Sequence, residues 1–258
     1  MSSYTRRTFL KTMGLGAILT AVPRIGTGAA LPAATIAQLR LPGLRDPRPG
    51  ALRDLLRDVQ ENSSVRAQLA TEPVDPASAR LFETPFVVML GDAGFAPLSE
   101  VAVMNLRLFL REGGFLFIDD ASGRASSDFD RCVRRDLKRI LPGSPLVAIG
   151  RDHAVYRSFF LLGGSSGRMN VRPFLEGIWQ DDITPVLYSS NDLLGALWRS
   201  AGGGYSLEVV PGRERQRGQA LRLAINVVLF ALTGNYKRDA VHVRALLDRM
   251  RRQGGYQR

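Results

Sequence analysis

The chain has 258 residues, 45% of them hydrophobic, which suits one large folded domain or two small ones. Its formal charge of +11 is concentrated at the ends: residues 1–30 hold four basic side chains and no acid, and residues 237–258 hold seven against Asp239 and Asp248. The body between them is nearly neutral with charges of alternating sign, which excludes the contiguous basic face of a nucleic-acid binder. The single cysteine, Cys132, excludes an intramolecular disulfide and any Cys-x-x-Cys redox or zinc site.

Residues 1–30 read as an export signal. Thr5-Arg6-Arg7-Thr8-Phe9-Leu10-Lys11 matches the twin-arginine pattern, with Thr5 in place of the usual serine and the pair Arg6 and Arg7 as its core. An apolar stretch over 13–22 and small residues over 26–30 complete the pattern. The apolar run is about ten residues, half of what a bilayer span requires. The signal places the protein in the periplasm or beyond, having crossed the membrane folded. Without a strict Ala-x-Ala triplet, an uncleaved segment would serve as an anchor, and the lack of a nearby cysteine excludes a lipoprotein.

Residues 31–50, rich in proline and glycine, read as a linker, and the α/β domain is expected over 51–236. Leu52, Leu55, Leu56 and Val59 have helical spacing and predict a helix over 51–62. Residues 65–70 alternate as a short strand, and Asp75-Pro76 starts a brief helix ending near Leu81. The run Pro85–Leu90 has the length and continuous apolarity of a strand covered on both faces. Ser99 caps a helix to Arg111, with Val103, Leu106, Leu108 and Leu110 as its stripe. Gly113-Gly114 ends it, and a strand from Phe115 runs to Asp119-Asp120. Strand, helix and strand over about 35 residues make a right-handed parallel βαβ unit. A helix over 128–141 and strands over 145–149, 177–182 and 185–190 follow. An apolar helix over 221–233 is closed by Gly234, and a basic tail helix runs from about Arg238 to Arg252. The glycine-rich runs 163–167 and 202–204 lack phosphate-binding spacing and read as mobile connections. The fold class expected is α/β: an open, mostly parallel, doubly wound sheet of flavodoxin-like type with helices on both faces.

Such sheets bind ligands beyond the carboxyl ends of their strands. There the sequence places Asp92 after one strand, Asp119 and Asp120 after the next, and Ser190, Asn191 and Asp192 after the last. If these converge, Asp92, Asp119 and Asp120 are candidate ligands of a hard divalent cation. Asp119 and Asp120, with His153, are the candidate acid–base groups. The competing expectation is structural, because aspartate is common at strand ends as a turn former and helix cap. His153 has no partner at ligand spacing, and the domain cannot supply three histidines. Cys132 lies inside a helix, not on a nucleophile elbow, and reads as a small buried apolar group. Export in folded form fits a ligand acquired beforehand, and the residues identify no particular cofactor.

Several passages together resemble the family called domain of unknown function 4159: residues 86–91, 106–120 with the block Gly-Gly-Phe-Leu-Phe-Ile-Asp-Asp, 152–156, 175–177, 188–192 and 223–228. The likeness covers roughly residues 40–235 and implies a fold like class I glutamine amidotransferase domains, but no established activity. Many relatives carry Gly-His-Gly after the first strand, where this chain has Gly91-Asp92-Ala93-Gly94. Association of relatives with envelope proteins implies an envelope protein partner. The expected function is therefore a non-catalytic exported binding or assembly module. The alternative is a metal-assisted hydrolase or small-ligand binder using the acidic edge. The basic tail, through Arg249, Arg251 and Arg252, is a candidate contact for an anionic membrane surface.

Overall fold

A computed structural model describes residues 34–70 and 72–236; the segments expected as an export signal and as a basic tail helix lie outside these. The elements are β1 (Ala34–Gln38), α1 (Ala51–Asn62), β2 (Ala67–Leu69), β3 (Phe86–Gly91), α2 (Glu100–Arg111), β4 (Phe115–Asp120), α3 (Asp128–Ile140), β5 (Val147–Ala148), β6 (Glu176–Gln180), β7 (Ile183–Ser189) and α4 (Arg213–Tyr236). The strands form one seven-stranded sheet in the order β2-β1-β3-β4-β7-β6-β5. The first five of that order are parallel; at one edge β6 runs antiparallel to β7, and β5 antiparallel to β6.

Both faces are covered, as a parallel sheet requires. Alternate residues of β4 separate the two cores. Phe115 and Phe117 join Leu52, Leu55, Leu56 and the apolar side of α4 in one cluster. Leu116 and Ile118 join Leu106, Leu110, Phe129 and Val133 in the other. The stripe of α2 differs by one position from the periodicity: Phe109 is buried, whereas Leu108 is only partly so. Ser99 and Ser127 cap α2 and α3, each hydroxyl accepting a backbone N–H of the first turn.

Four expectations need correction. Residues 34–38, inside the supposed linker, form a strand flanked by β2 and β3, with Ile36 and Ala37 fully buried. The brief helix is a 3₁₀ turn over Ala79–Glu83, capped by Ser78. β6 and β7 are a hairpin, with Gln180 paired to Ile183 across Asp181-Asp182, so the sheet is mixed at this end. α4 begins at Arg213, well before the apolar run, and continues through Gly234.

The stretch 155–160 is tied to α4 by Asn226. Asn226, fully buried, accepts from Phe160 N–H and donates to the carbonyls of Phe160 and Val155, all at 2.8 Å. Substituting Asn226→Leu leaves these groups without partners and is expected to lower unfolding free energy by roughly 2–4 kcal/mol. Chemical denaturation measures it, and a loss below about 1 kcal/mol would mean that water replaces the amide.

Candidate functional site

The register brings the strand tips side by side. Leu90 and Gly91 pair with Asp119 and Asp120, and Asp119 pairs with Ser189. The residues expected at the edge do therefore gather, but their side chains diverge. Successive residues of a strand point to opposite faces. Asp119 thus enters the layer of α1 and α4, and Asp120 that of α2 and α3.

Asp119 is fully buried and accepts from Leu193 N–H at 2.9 Å and Leu194 N–H at 2.8 Å, one on each oxygen. Burial, and next the charge of Asp192, push its carboxyl up to about 7 against those two stabilising bonds. Asp120, also buried, accepts from Ser122 N–H at 2.9 Å, Ser127 Oγ at 2.5 Å and the Tyr188 hydroxyl at 3.2 Å. The Tyr188 phenol is shifted far upward, first by burial and then by the charge of Asp120, and stays protonated to donate.

Asp192 sits at φ 52°, a left-handed conformation that aspartate tolerates. Its carboxylate is gripped by Arg48 (Nε 3.2 Å, Nη2 2.8 Å) and by Arg168 Nε, and accepts from Gly195 N–H at 3.1 Å. Arg48 also reaches the carbonyls of Ala121 and Pro47. One ion-paired node thus joins the loop after β1, the end of β4, the loop after β7 and residue 168. Asn191 is a second node: its side chain accepts from Val171 and Arg172 N–H and donates to Ser165 Oγ and the Arg172 carbonyl. Ser190 is buried beside it.

These bonds also change the account of the glycine-rich run 163–167. Ser165 N–H donates to the Pro173 carbonyl, and Gln216 Nε2 to that of Gly167. A side chain at Gly167 would overlap the Asn191 carbonyl. The run is an anchored segment requiring glycine for close approach, not a mobile connection.

His153 lies elsewhere. Its Nδ1 accepts from Val155 N–H at 3.1 Å, so the proton sits on Nε2, 3.0 Å from Thr184 Oγ1. Thr184 is at the start of β7 and Ser189 at its end; five residues of strand separate them by about 16 Å. His153 therefore cannot act with Asp119 or Asp120. Its ring packs against Trp179 and Phe230, and burial lowers its basicity. Unfolded histidine binds protons near pH 6.5 while the folded one resists, so this group costs stability as pH falls below about 6.5. In His153→Gln that part of the acid-limb slope should vanish in denaturation midpoints measured from pH 7 to 5.

Asp92 alone of the expected residues is exposed. It borders a polar recess of about 440 Å³ lined also by Arg48, Ser122, Arg124, Ser126, Asp128 and Arg168. A neighbouring cavity of about 520 Å³ lies between Pro42-Gly43 and Gly94-Ala96, with half-buried Cys132 in its wall. Cys132 Sγ accepts from Phe95 N–H at 3.4 Å, so the thiol is less enclosed than its helical position suggested. The second cavity lies where the loops after β1 and β3 separate, and the polar recess adjoins it, touched by both loops at Arg48 and Asp92 but walled mainly by the loop after β4. There the connections leave in opposite directions, toward β2 on one side and β4 on the other, which is the topological switch point of an open sheet. No group of three or more histidine, cysteine or acidic side chains among the described residues is arranged to hold a metal.

Neither Arg48 nor Arg168 stood out in the sequence. Arg168 holds Asp192 through Nε alone and lines the recess; among the described residues its two terminal nitrogens have no hydrogen-bond partner. Ser127 matters beyond the cap, joining the first turn of α3 to Asp120. Ser127→Ala should cost roughly 1–2 kcal/mol in thermal or urea unfolding.

No curated protein matches the chain. The model of the family described as Domain of unknown function (DUF4159) matches residues 35–232, from the first strand into the last helix, and the chain belongs to that family.

Proposed function

We propose that the protein is an exported, non-catalytic binding or assembly module of the cell envelope, which holds its ligand in the polar recess at the switch point. The observation carrying this reading is that Asp119, Asp120 and Asp192 are committed to fixing loops, while His153 lies at the other end of β7. The recess is lined by recognition chemistry: Arg124, Arg168, Ser122 and Ser126, with Asp92 and Asp128 beside them. The parallel strand order β2-β1-β3-β4-β7 supports a flavodoxin-like assignment, and with it a ligand at this position. The twin-arginine pattern at Arg6 and Arg7 supports export, and no described helix is long and apolar enough to cross a membrane.

The test is a thermal-shift screen of small polar anions and acidic sugars on the full chain and on Ser126→Trp, which fills the recess. A compound that raises the wild-type midpoint and leaves the variant's unchanged is the expected result. A hydrolase activity abolished by chelation and by Asp119→Asn would replace this reading with the metal-assisted alternative.

A further inference from the structure

Leu161 is 89% exposed and Phe159 50%, on a segment that turns back at Gly163-Gly164. Large apolar side chains that stand in water cost free energy unless something covers them. These two are not on a frayed strand of chain. Asn226 clamps Phe160 between them, Leu162 N–H donates to the Tyr156 carbonyl at 2.8 Å, and the Phe159 and Phe160 rings stack edge to face at 4.8 Å. The backbone is fixed so that Phe160 and Leu162 pack inward and Phe159 and Leu161 project outward.

The unpaired charges closest to the knobs are mostly basic. Arg157 lies two residues before Phe159, with one exposed acid, Asp152, further back; Arg168 and Arg172 of the same stretch are engaged by Asp192 and Glu176. Arg222, on the exposed side of α4, lies over the Phe160 ring at 5.9 Å. Arg157 and Arg222 are exposed, and neither makes an ion pair with a described carboxylate. Two isolated knobs on a narrow turn are far from the roughly 800 Å² per partner of a stable protein interface. A fluid bilayer interface needs no matching pocket: it accepts aromatic and aliphatic side chains at headgroup depth, and anionic lipid attracts the arginines around them.

We propose that the segment 157–162 is a peripheral membrane contact, placing Phe159 and Leu161 in the interface of an anionic bilayer with Arg157 and Arg222 on lipid phosphates. This surface is independent of the polar recess. The site faces a complication from the basic ends of the chain, which can hold the protein to anionic vesicles by charge alone, so the readout must report insertion. The full chain carrying Phe159→Trp is titrated with phosphatidylcholine vesicles with and without phosphatidylglycerol, and its tryptophan emission is compared with that of the wild type. A blue shift and quenching by brominated lipid, only with phosphatidylglycerol present, is expected. The combined variant Phe159→Ser/Leu161→Ser should melt like the wild type and partition about tenfold more weakly onto the same vesicles. An unshifted, unquenched emission maximum for Phe159→Trp on vesicles that bind the protein overturns the proposal. So does unchanged partitioning of the double-serine variant. Loss of a purified protein partner from that variant, with the added tryptophan still in water on vesicles, would assign the knobs to a protein instead.

Discussion

Asp119→Ala is expected to be the most damaging single substitution at the strand tips, lowering unfolding free energy by roughly 3–5 kcal/mol. It removes both acceptors for the N–H groups of Leu193 and Leu194, which are enclosed and out of reach of water. Asp119→Asn keeps one acceptor, so about half of that loss should remain at pH 5. The pH dependence separates the two contributions. The folded carboxyl titrates near 7 and an unfolded one near 3.9, so between these values the native state holds more protons than the unfolded state. Wild-type stability therefore falls as pH rises from 4 toward 8, on the order of 4 kcal/mol from this group. The asparagine variant lacks that slope, and the gap between it and wild type should narrow from pH 5 to pH 8 in urea titrations. A gap that stays constant would mean that Asp119 is ionised throughout.

Breaking the node at Asp192 comes second. Asp192→Ala strips the partner from Arg48, whose side chain is 12% exposed, and from Arg168 at 21%, and frees Gly195 N–H. Partial access to water softens the loss to roughly 2–4 kcal/mol. Because Arg48 reaches back to Pro47 and across to Ala121, the loops that frame the recess should loosen together. A double-mutant cycle of Asp192→Ala with Arg48→Met should give a coupling of about 1–3 kcal/mol, whereas independent sites would give near zero. Hydrogen exchange at residues 46–50 and 168–170 would rise in the single aspartate variant.

How far the sequence carried depended on how each element hides its surface. β3 and β4 announce themselves as unbroken apolar runs because helices cover both their faces, and α1, α2 and α3 keep one stripe each. β1 did not, because Ala34-Thr-Ile-Ala-Gln38 offers only Ile36 as a large apolar side chain and sits among prolines and glycines. Small residues suffice there because its neighbours on both sides supply the bulk. α4 began early because its first turns are polar yet engaged: Gln216 and Arg217 are buried and bonded to the carbonyls of Gly167, Ala196 and Leu207. The hairpin did have a signal, since two residues, Asp181-Asp182, between two apolar runs fit a tight antiparallel turn with positive φ at Asp181.

The acidic edge was legible as a place, while its chemistry stayed open between a ligand site and structural bonds. Strand ends put Asp92, Asp119, Asp120 and Asp192 close together, as parallel register demands. Which of them point into which layer follows from the parity of Asp119 and Asp120, and was available from the sequence. The partners were not: Arg48 lies 144 residues from Asp192, and nothing local marks it as the counter-ion.

The pairing of β4 with β7 bears on how the chain is made. Leu116 meets Val186 and Asp119 meets Ser189 in register, so the central sheet cannot close until some seventy further residues have left the ribosome, with α4 still to follow. Early in synthesis the β1–β3–β4 portion has an open hydrogen-bonding edge and an apolar face that α1 covers only in part. Such high contact order slows folding and leaves nascent chains prone to edge-to-edge association. A chaperone that occupies the free side of β4 until β7 arrives would raise soluble yield more than any improvement of the finished core.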